Sequence, residues 1–142
     1  MGFALAPMLA QFAHGLEFSP DLVCAVPLGK DRLRERGYNQ VDALAKPMAS
    51  LLGWRFSTNA VWRVRETRSQ VGLGVRERRE NVRNAFEADP GQVAGKKILL
   101  VDDTTTTGAT LDFASWSIIK AGATIVTCIA YAKATAQQDQ PI

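Results

Sequence analysis

The stretch at residues 98–110 places the strongest constraint on how this chain can fold. It reads ILLVDDTTTTGAT: four apolar residues, two adjacent acids, and then a hydroxyl-rich loop with one glycine. A continuous apolar run is typical of a strand that is covered on both faces of a parallel sheet. We therefore predict a buried strand that ends in two carboxylates and leads through a turn into a helix from about Gly108.

The end of this strand has the composition of a binding site for a sugar phosphate. Backbone amides and Thr hydroxyls in a loop at a helix N-terminus suit a phosphate group. The two acids, Asp102 and Asp103, can accept hydrogen bonds from neighbouring hydroxyls or hold a divalent cation through water. A ligand that offers both a phosphate and a vicinal diol is a sugar phosphate, and we predict this class of ligand.

The rest of the chain predicts strands that alternate with helices. This alternation is typical of an α/β fold with an open, mostly parallel sheet and helices on both faces. The 142 residues fit one domain, residues 1–142. Pro47 is expected to kink or divide the second helix, Gly53 to end it, and residues 89–91 to form a turn. Strands are predicted at residues 21–27, 60–64 (at an edge), 84–87, 97–101 and 124–131 (buried), and helices at residues 3–13, 38–52 and 108–120.

Positive charge is concentrated in the middle of the chain. Residues 29–83 hold 13 of the 17 Lys and Arg residues but only 6 of the 14 Asp and Glu residues. The basic segment 30–40 follows the first predicted strand, and ligands of open α/β sheets bind at the carboxyl ends of strands. We predict here a cationic loop that holds a second anionic group, with a merely solvated loop as the alternative. A polyanionic small ligand is favoured, and nucleic acid comes second.

Cysteine usage and hydropathy indicate a cytoplasmic enzyme or binding domain. Cys24 and Cys128 lie in apolar runs without metal-ligand spacing, so we predict that both are buried, reduced thiols and that no residues form a protein metal site. No run reaches the ~18 apolar residues of a membrane-spanning helix. The apolar start of the chain lacks the positive charges of a signal peptide.

Other structures could contain a strand end like that at residues 98–110. An ordinary strand and turn, with Thr capping the next helix, is one alternative. A phosphoacceptor receiver domain is disfavoured because only 39 residues follow Asp103. A P-loop would need an upstream GxxxxGK[ST], and the sequence has none. The GLGVR stretch at residues 72–76 lacks the third glycine and the preceding strand of a dinucleotide-binding motif.

The segment ILLVDDTTTTGAT resembles the phosphoribosyl-pyrophosphate (PRPP) binding motif of type I phosphoribosyltransferases. The segment VPLGKDRLRERGYNQ at residues 26–40 is similar to the pyrophosphate loop of the competence protein F (ComF) family. Altogether the resemblance covers roughly residues 20–134. A further set of residues has a spacing similar to the flexible-loop region of that family: Arg63, Arg65, Thr67, Gln70, Leu73, Arg78, Asn81, Val82, Ala85 and Phe86.

The resemblance implies a type I phosphoribosyltransferase fold that binds PRPP with Mg²⁺ as cofactor. It implies that Asp102 and Asp103 bind the ribose 2′ and 3′ hydroxyls. The 5′-phosphate would be held by Thr104, Thr105, Thr106, Thr107, Gly108, Ala109 and Thr110. The pyrophosphate would be held by Pro27, Leu28, Gly29, Lys30 and Arg34. A flap carrying Arg65, Arg68 and Gln70 would close over the site. These three residues and the two acids would be the catalytic residues.

The implied activity is transfer of the phosphoribosyl group to a base with release of pyrophosphate, which is a pentosyl glycosyltransferase reaction. Positioning and charge neutralisation would supply most of the catalysis through an oxocarbenium-like state, and flap closure would exclude water. The expected partners are PRPP or a related phosphoribosyl compound, single-stranded DNA, competence-machinery proteins and a second copy of the chain, with no membrane. The alternative is a non-catalytic DNA-uptake module for natural transformation that binds single-stranded DNA through Arg32, Arg34, Arg36, Arg76, Arg78 and Arg79.

Two features of the sequence depart from the ComF pattern. ComF-like proteins commonly carry an N-terminal four-cysteine zinc module, and this sequence has only two cysteines. We therefore expect a truncated or reduced member of the family. Gly29 also stands where the pyrophosphate segment is expected to have a bulkier polar residue.

Overall fold

The computed structural model describes residues 7, 10–11, 15, 18–64, 74, 76–77, 85–102 and 109–130. The strands in these residues form a parallel sheet and a short antiparallel ribbon. The sheet has the order β2-β1-β5-β6, and β3 and β4 form the ribbon. The strands are β1 (Leu22–Ala25), β2 (Phe56–Ser57), β3 (Val61–Arg63), β4 (Phe86–Ala88), β5 (Lys97–Asp102) and β6 (Ile125–Ala130). The helices are α1 (Lys30–Arg36), α2 (Gln40–Leu52), α3 (Pro90–Val93) and α4 (Ala109–Lys120).

Strand β5 lies in the interior of the sheet, between β1 and β6. Its register runs from Leu22 opposite Ile98 to Ala25 opposite Val101 on one side, and continues to Asp102 opposite Ala130 on the other. Residues 98–101 are completely buried. The continuous apolar run therefore forms the central buried strand that the sequence predicts, and the mostly parallel α/β fold is confirmed.

In the described part of the chain, α2 packs on one face of the sheet and α4 on the other. Leu99 and Val101 pack with α2 and form one core cluster. Ile98 and Leu100 point the other way and pack with α4 and the β3–β4 ribbon. Side chains alternate between faces along a strand, so β5 contributes to both clusters. Truncating one of these fully buried leucines to Ala would cost about 2–5 kcal/mol of stability.

Helix α2 ends at Leu52, as predicted, and begins at Gln40, two residues later than predicted. The side chain of Asn39 caps the N-terminus by accepting a hydrogen bond from the Val41 N–H at 2.9 Å. Gly53 ends the helix in the left-handed conformation, with φ of 71°. Of the two effects expected of Pro47, a kink or a division, the division is wrong, because residues 40–52 form one helix. The five buried residues of the apolar face hold both halves on the sheet: Val41, Leu44, Ala45, Met48 and Ala49.

Two other local predictions are wrong. The basic segment predicted to be a loop forms helix α1. Its last turn places Arg34 and Arg36 near the negative end of the helix dipole. The helix ends at Gly37, which has φ of 78°. The predicted Asp-Pro-Gly turn begins the short helix α3, because Asp89 caps it and Pro90 occupies its first position.

The edges of the sheet differ from the sequence predictions. Strand β2, a two-residue edge strand, was not predicted. The strand predicted near residues 60–64 pairs with β4 in the ribbon rather than lying at the edge of the main sheet. Strand β6 is not buried, because β5 is its only partner among the described strands: Ile125 is 46% exposed, and Cys128 is exposed as well. The predicted N-terminal helix and the tail after residue 130 lie mostly or wholly outside the described residues.

Across these described ranges, no helix combines the length and apolar character that crossing a bilayer requires.

We predict that the substitution Asp42→Asn stabilises the protein at pH 7 and flattens its pH dependence. Burial raises the pKa of the Asp42 carboxyl from 3.8 to about 6. Between these values the native state retains a proton that the unfolded state has lost, so the free energy of unfolding contributed by this group falls as pH rises. Urea unfolding of the two proteins between pH 4 and pH 7 measures the difference.

The exposed Asp31 in α1 offers a matched control, Asp31→Asn. This control should leave the pH dependence of the wild type in place. A variant Asp42→Asn whose stability follows pH in parallel with the wild type would contradict the prediction.

Candidate functional site

The carboxyl edge of the parallel sheet brings together two of the predicted site segments. The residues after β1 form a loop, Val26 to Gly29, and β5 ends at Asp102. The Val26 N–H donates a hydrogen bond to the Val101 carbonyl at 2.8 Å, which continues the pairing of β1 with β5. The loop therefore lies beside Asp102, although Val26 and that acid are 76 positions apart in the sequence.

Asp102 occupies the predicted position at the end of the central strand, but it is only 7% exposed. It lies on the same side of β5 as Leu100, facing α4, whose N-terminus carries the positive end of the helix dipole. Asp102 has interactions within the protein. This acid is therefore less accessible than the sequence analysis expected.

The loop after β1 is held at three of its carbonyl groups. The Asn39 side-chain amide donates to the Val26 carbonyl at 3.1 Å, and Arg63 Nε donates to the Pro27 carbonyl at 2.8 Å. The Leu33 N–H donates to the Gly29 carbonyl at 2.9 Å as α1 begins. The loop is thus tied to α1, to the cap of α2 and to the end of β3.

Helix α1 places basic side chains directly after this loop. Lys30 begins the helix, and both Lys30 and Arg34 are exposed. Gly29 caps the helix in an extended conformation without a side-chain hydrogen bond. The predicted pyrophosphate-binding residues therefore occupy one loop and the helix that follows it.

The β3–β4 ribbon positions the segment that the sequence predicts to be a flap. The Val64 N–H donates to the Ala85 carbonyl at 2.8 Å, so both ends of the connection between the strands are held together. Arg63 stacks over the Phe86 ring, with its Cζ 4.8 Å from the centroid, while its Nε contacts the loop at Pro27. The connection therefore starts and ends beside the loop after β1.

Several predicted site residues lie outside the described residues. Ala109 and Thr110 form the first turn of α4, as expected for a loop that leads into a helix N-terminus. Among the residues that are described, no three His, Cys, Asp or Glu side chains cluster as metal ligands. The predicted residues outside the description are Asp103, Thr104, Thr105, Thr106, Thr107, Gly108, Arg65, Arg68 and Gln70.

Sequence reasoning missed the roles of Asn39 and Arg63 at this site. Asn39 carries a recognisable signal, because Asn before an apolar helical pattern is a typical N-cap. Its second contact, to Val26, has no such signal. The Arg63 contact joins residues 36 positions apart and depends on how the ribbon docks.

A cavity of about 370 Å³ lies between β4 and the middle and end of α4. Its walls include Phe86, Phe113 and Trp116, with Glu87 and Lys120 as charged groups. The carboxyl edge of the sheet lies at the opposite end of α4, where Ala109 begins the helix. The cavity is therefore a separate feature from the candidate site.

Both cysteines lie in one row across the sheet, because Leu100 pairs with Cys24 on one side and with Cys128 on the other. Burial, and secondarily the Cys128 and Asp42 charges, raise the pKa of the Cys24 thiol to about 12. Cys128 lies in the exposed edge strand, but its sulfur faces α4 at 2.9 Å from Ser115 Oγ. Burial of this sulfur raises its pKa. The prediction that both thiols are free is confirmed, and the prediction that both are buried is wrong for Cys128.

These features define an α/β protein with the type I phosphoribosyltransferase fold. An adenine phosphoribosyltransferase from Thermoanaerobacter pseudethanolicus has the same fold, with a TM-score of 0.59 and 19% sequence identity, over 91% of this chain and 66% of that one. No family model matches the chain.

Sequence comparison identifies the group within this fold. DNA utilization protein YhgH of Salmonella typhimurium is 36% identical over 119 residues, which are 84% of this chain and 52% of that protein. Competence protein F of Haemophilus influenzae is 37% identical over 120 residues, 83% of this chain and 52% of that protein. The chain belongs to the ComF-like proteins with the phosphoribosyltransferase fold. It spans about half the length of these relatives.

We predict that only one thiol reacts when the native protein is treated with a disulfide reagent. The thiolate is the reactive form, and Cys24 is both buried and held as a thiol. Cys128 should react more slowly than a free thiol because of its raised pKa. Absorbance of the released reagent, before and after urea is added, measures the number of reactive groups.

The variant Cys128→Ser provides the control for this count. It should show no reaction in the native state and one thiol in urea. Rapid modification of Cys24 in the native variant would contradict the burial of this residue.

Proposed function

We propose that the chain binds PRPP, or a related phosphoribosyl compound, together with Mg²⁺ at the carboxyl edge of its sheet. The observation that carries this proposal is the juxtaposition of the loop after β1 with Asp102 at the end of β5, next to the start of α4. Ligands of open α/β folds bind at such an edge. The resemblance of residues 98–110 to a PRPP-binding motif supports the choice of ligand.

Each part of the ligand matches a different segment of the edge. The ribose hydroxyls would donate to the carboxylates of Asp102 and Asp103, and residues 104–110 would surround the 5′-phosphate. The loop amides at Leu28 and Gly29, with the basic side chains of α1, would bind the pyrophosphate. The charges are complementary, because the phosphates meet basic groups and amides while the hydroxyls meet acids.

The carboxylates suit Mg²⁺, which prefers oxygen ligands and retains several of its waters. Asp102 and Asp103 would hold the ion through water, and the bound ion would neutralise charge on the pyrophosphate. Binding of the sugar phosphate at the edge would need only a small opening at Asp102, because this acid is already at the strand end. The flap residues Arg65, Arg68 and Gln70 would then cover the ligand.

The activity that this arrangement would support is transfer of the phosphoribosyl group. The bond between ribose C1 and the pyrophosphate oxygen breaks, a bond from C1 to a nitrogen of the base forms, and the base loses its proton. Because positive charge develops on the ribose in this step, the main tasks of the protein are orientation and exclusion of water.

We predict that Asp102→Asn combined with Asp103→Asn abolishes PRPP binding. The neutral amides keep the shape of the side chains but remove the charge that accepts hydrogen bonds from the ribose and attracts Mg²⁺. Isothermal titration calorimetry with PRPP, with and without Mg²⁺, measures this effect.

The matched control is Asp89→Asn, because Asn preserves the cap of α3 and the residue lies away from the carboxyl edge. It should bind PRPP like the wild type. Affinity that does not change in the double variant would refute the role of the acids, and a loss of its folded circular dichroism signal would assign them a structural role instead.

A second candidate function is single-stranded DNA binding in DNA uptake or utilisation. The names of the two relatives refer to competence and to DNA utilisation. Helix α1 adds exposed basic side chains at Lys30, Arg34 and Arg36, and such groups bind phosphates regardless of sequence. The first candidate stands ahead of it because basic groups alone do not account for the acid at the strand end.

We predict for this second function an affinity for single-stranded DNA that falls steeply with salt. Each phosphate contact contributes about 0.7 to the slope of log K against log salt. Substituting Arg36→Gln should lower the slope by about that amount, as measured by fluorescence anisotropy of a labelled oligonucleotide. The absence of binding at low ionic strength would eliminate the DNA-binding function while leaving the PRPP proposal intact.

A further inference from the structure

The loop after β1 presents an unusual distribution of hydrogen-bonding groups. Its carbonyls at Val26 and Pro27 are both occupied by side-chain donors, Asn39 and Arg63 respectively. Within the part of the chain that the structure describes, the N–H groups of Leu28 and Gly29 have no hydrogen-bond acceptor. Gly29 is nevertheless buried. A buried donor without an acceptor is costly unless a ligand or water completes it.

The geometry of the peptide group links these two facts. In a trans peptide the carbonyl of one residue and the N–H of the next point in opposite directions. Because the Pro27 carbonyl points towards Arg63, the Leu28 N–H points away from Arg63. The preceding peptide bond has no N–H, since Pro27 lacks one. The contacts therefore turn the carbonyl oxygens of Val26 and Pro27 towards the protein and leave the Leu28 N–H on the other side of the loop.

This orientation matters for an anionic ligand. A carbonyl oxygen carries partial negative charge and would repel a phosphate group, whereas a backbone N–H attracts it. A loop in which either carbonyl turned around would present the wrong charge. Holding both carbonyls in place is therefore a condition for binding an anion at Leu28 and Gly29.

The two donors are themselves fixed by other contacts. Asn39 uses its oxygen to cap α2 and its nitrogen to hold Val26, so its amide cannot rotate without losing both bonds. Arg63 is stacked on Phe86, its cross-strand neighbour in the ribbon. The loop is thus held between a helix cap on one side and the base of the flap on the other.

We infer that Asn39 and Arg63 are positioning residues for pyrophosphate: they hold the carbonyls of Val26 and Pro27 away from the ligand, and the Arg63 contact thereby turns the Leu28 amide towards it. This inference rests on the proposed binding of PRPP. Neither residue touches the ligand in this arrangement. Arg63 also connects the loop to the β3–β4 ribbon.

The test compares ligands that differ by the pyrophosphate group. PRPP with Mg²⁺, inorganic pyrophosphate with Mg²⁺, and ribose 5-phosphate are each titrated by calorimetry into the wild type, Asn39→Ser and Arg63→Gln. Serine keeps a good cap for α2 but cannot donate to Val26 in the same geometry, so the helix is preserved while the contact is lost. The matched controls are Asn59→Ser and Arg55→Gln, which make the same changes in the segment around β2.

We expect both variants to bind PRPP and pyrophosphate roughly tenfold more weakly than the wild type, the effect of losing one hydrogen bond that orients the loop. Their affinity for ribose 5-phosphate should not change, because that ligand does not reach the loop. A general loss of structure would weaken all ligands together, and thermal unfolding of the variants checks for it.

Three results would overturn the inference. If both variants bound ribose 5-phosphate and PRPP equally weakly, the two residues would have a purely structural role. If the binding of all ligands were unchanged, they would have no role in the site. The proposed function would survive both results. Failure of the wild type to bind PRPP would overturn the proposed function and, with it, this inference.

Discussion

The parallel pairing of β1 with β5 is the constraint on which the candidate site depends. It aligns Ala25 with Val101, so the chain leaves β1 as a loop at the same edge where β5 ends in Asp102. Parallel strands direct their carboxyl ends to one edge, and the long connections between them bring helices to both faces. A shift of this register would separate the loop after β1 from Asp102.

Two side chains beside the loop after β1 both stabilise the fold and fix the orientation of the loop. Asn39 completes the first turn of α2 while it holds the Val26 carbonyl, and Arg63 joins the ribbon to the Pro27 carbonyl. Each contact would contribute only about 1 kcal/mol as an ordinary hydrogen bond. Their larger effect is on the orientation of the loop, because they turn the carbonyl oxygens of Val26 and Pro27 towards the protein. Arg63 is the last residue of β3, so the same residue holds the loop and ends the strand.

Asp42 and Asp102 are both shielded from solvent, but their surroundings differ. Asp42 has a pKa raised to about 6 because burial disfavours its charged form. Asp102 is also buried, but it lies at the edge of the sheet, on the face covered by α4, and has interactions within the protein. A carboxylate that is already oriented in this way loses little conformational freedom when it accepts hydrogen bonds from a ligand. The same orientation makes it part of the packing at the end of β5.

The sequence by itself determined the parts of this protein that depend on local pattern. The apolar run at residues 98–101 defined the central strand, and Gly53 defined the end of α2. Both features depend on periodicity and backbone conformation, which act within a few residues. Only the tertiary structure decided that the basic segment is a helix, that β6 is an edge strand with an exposed Cys128, and that Asp102 is buried. It also decided that Asn39 and Arg63 reach the loop, since these contacts join residues 13 and 36 positions apart. Such contacts depend on how whole elements dock, and no local pattern in the chain records them.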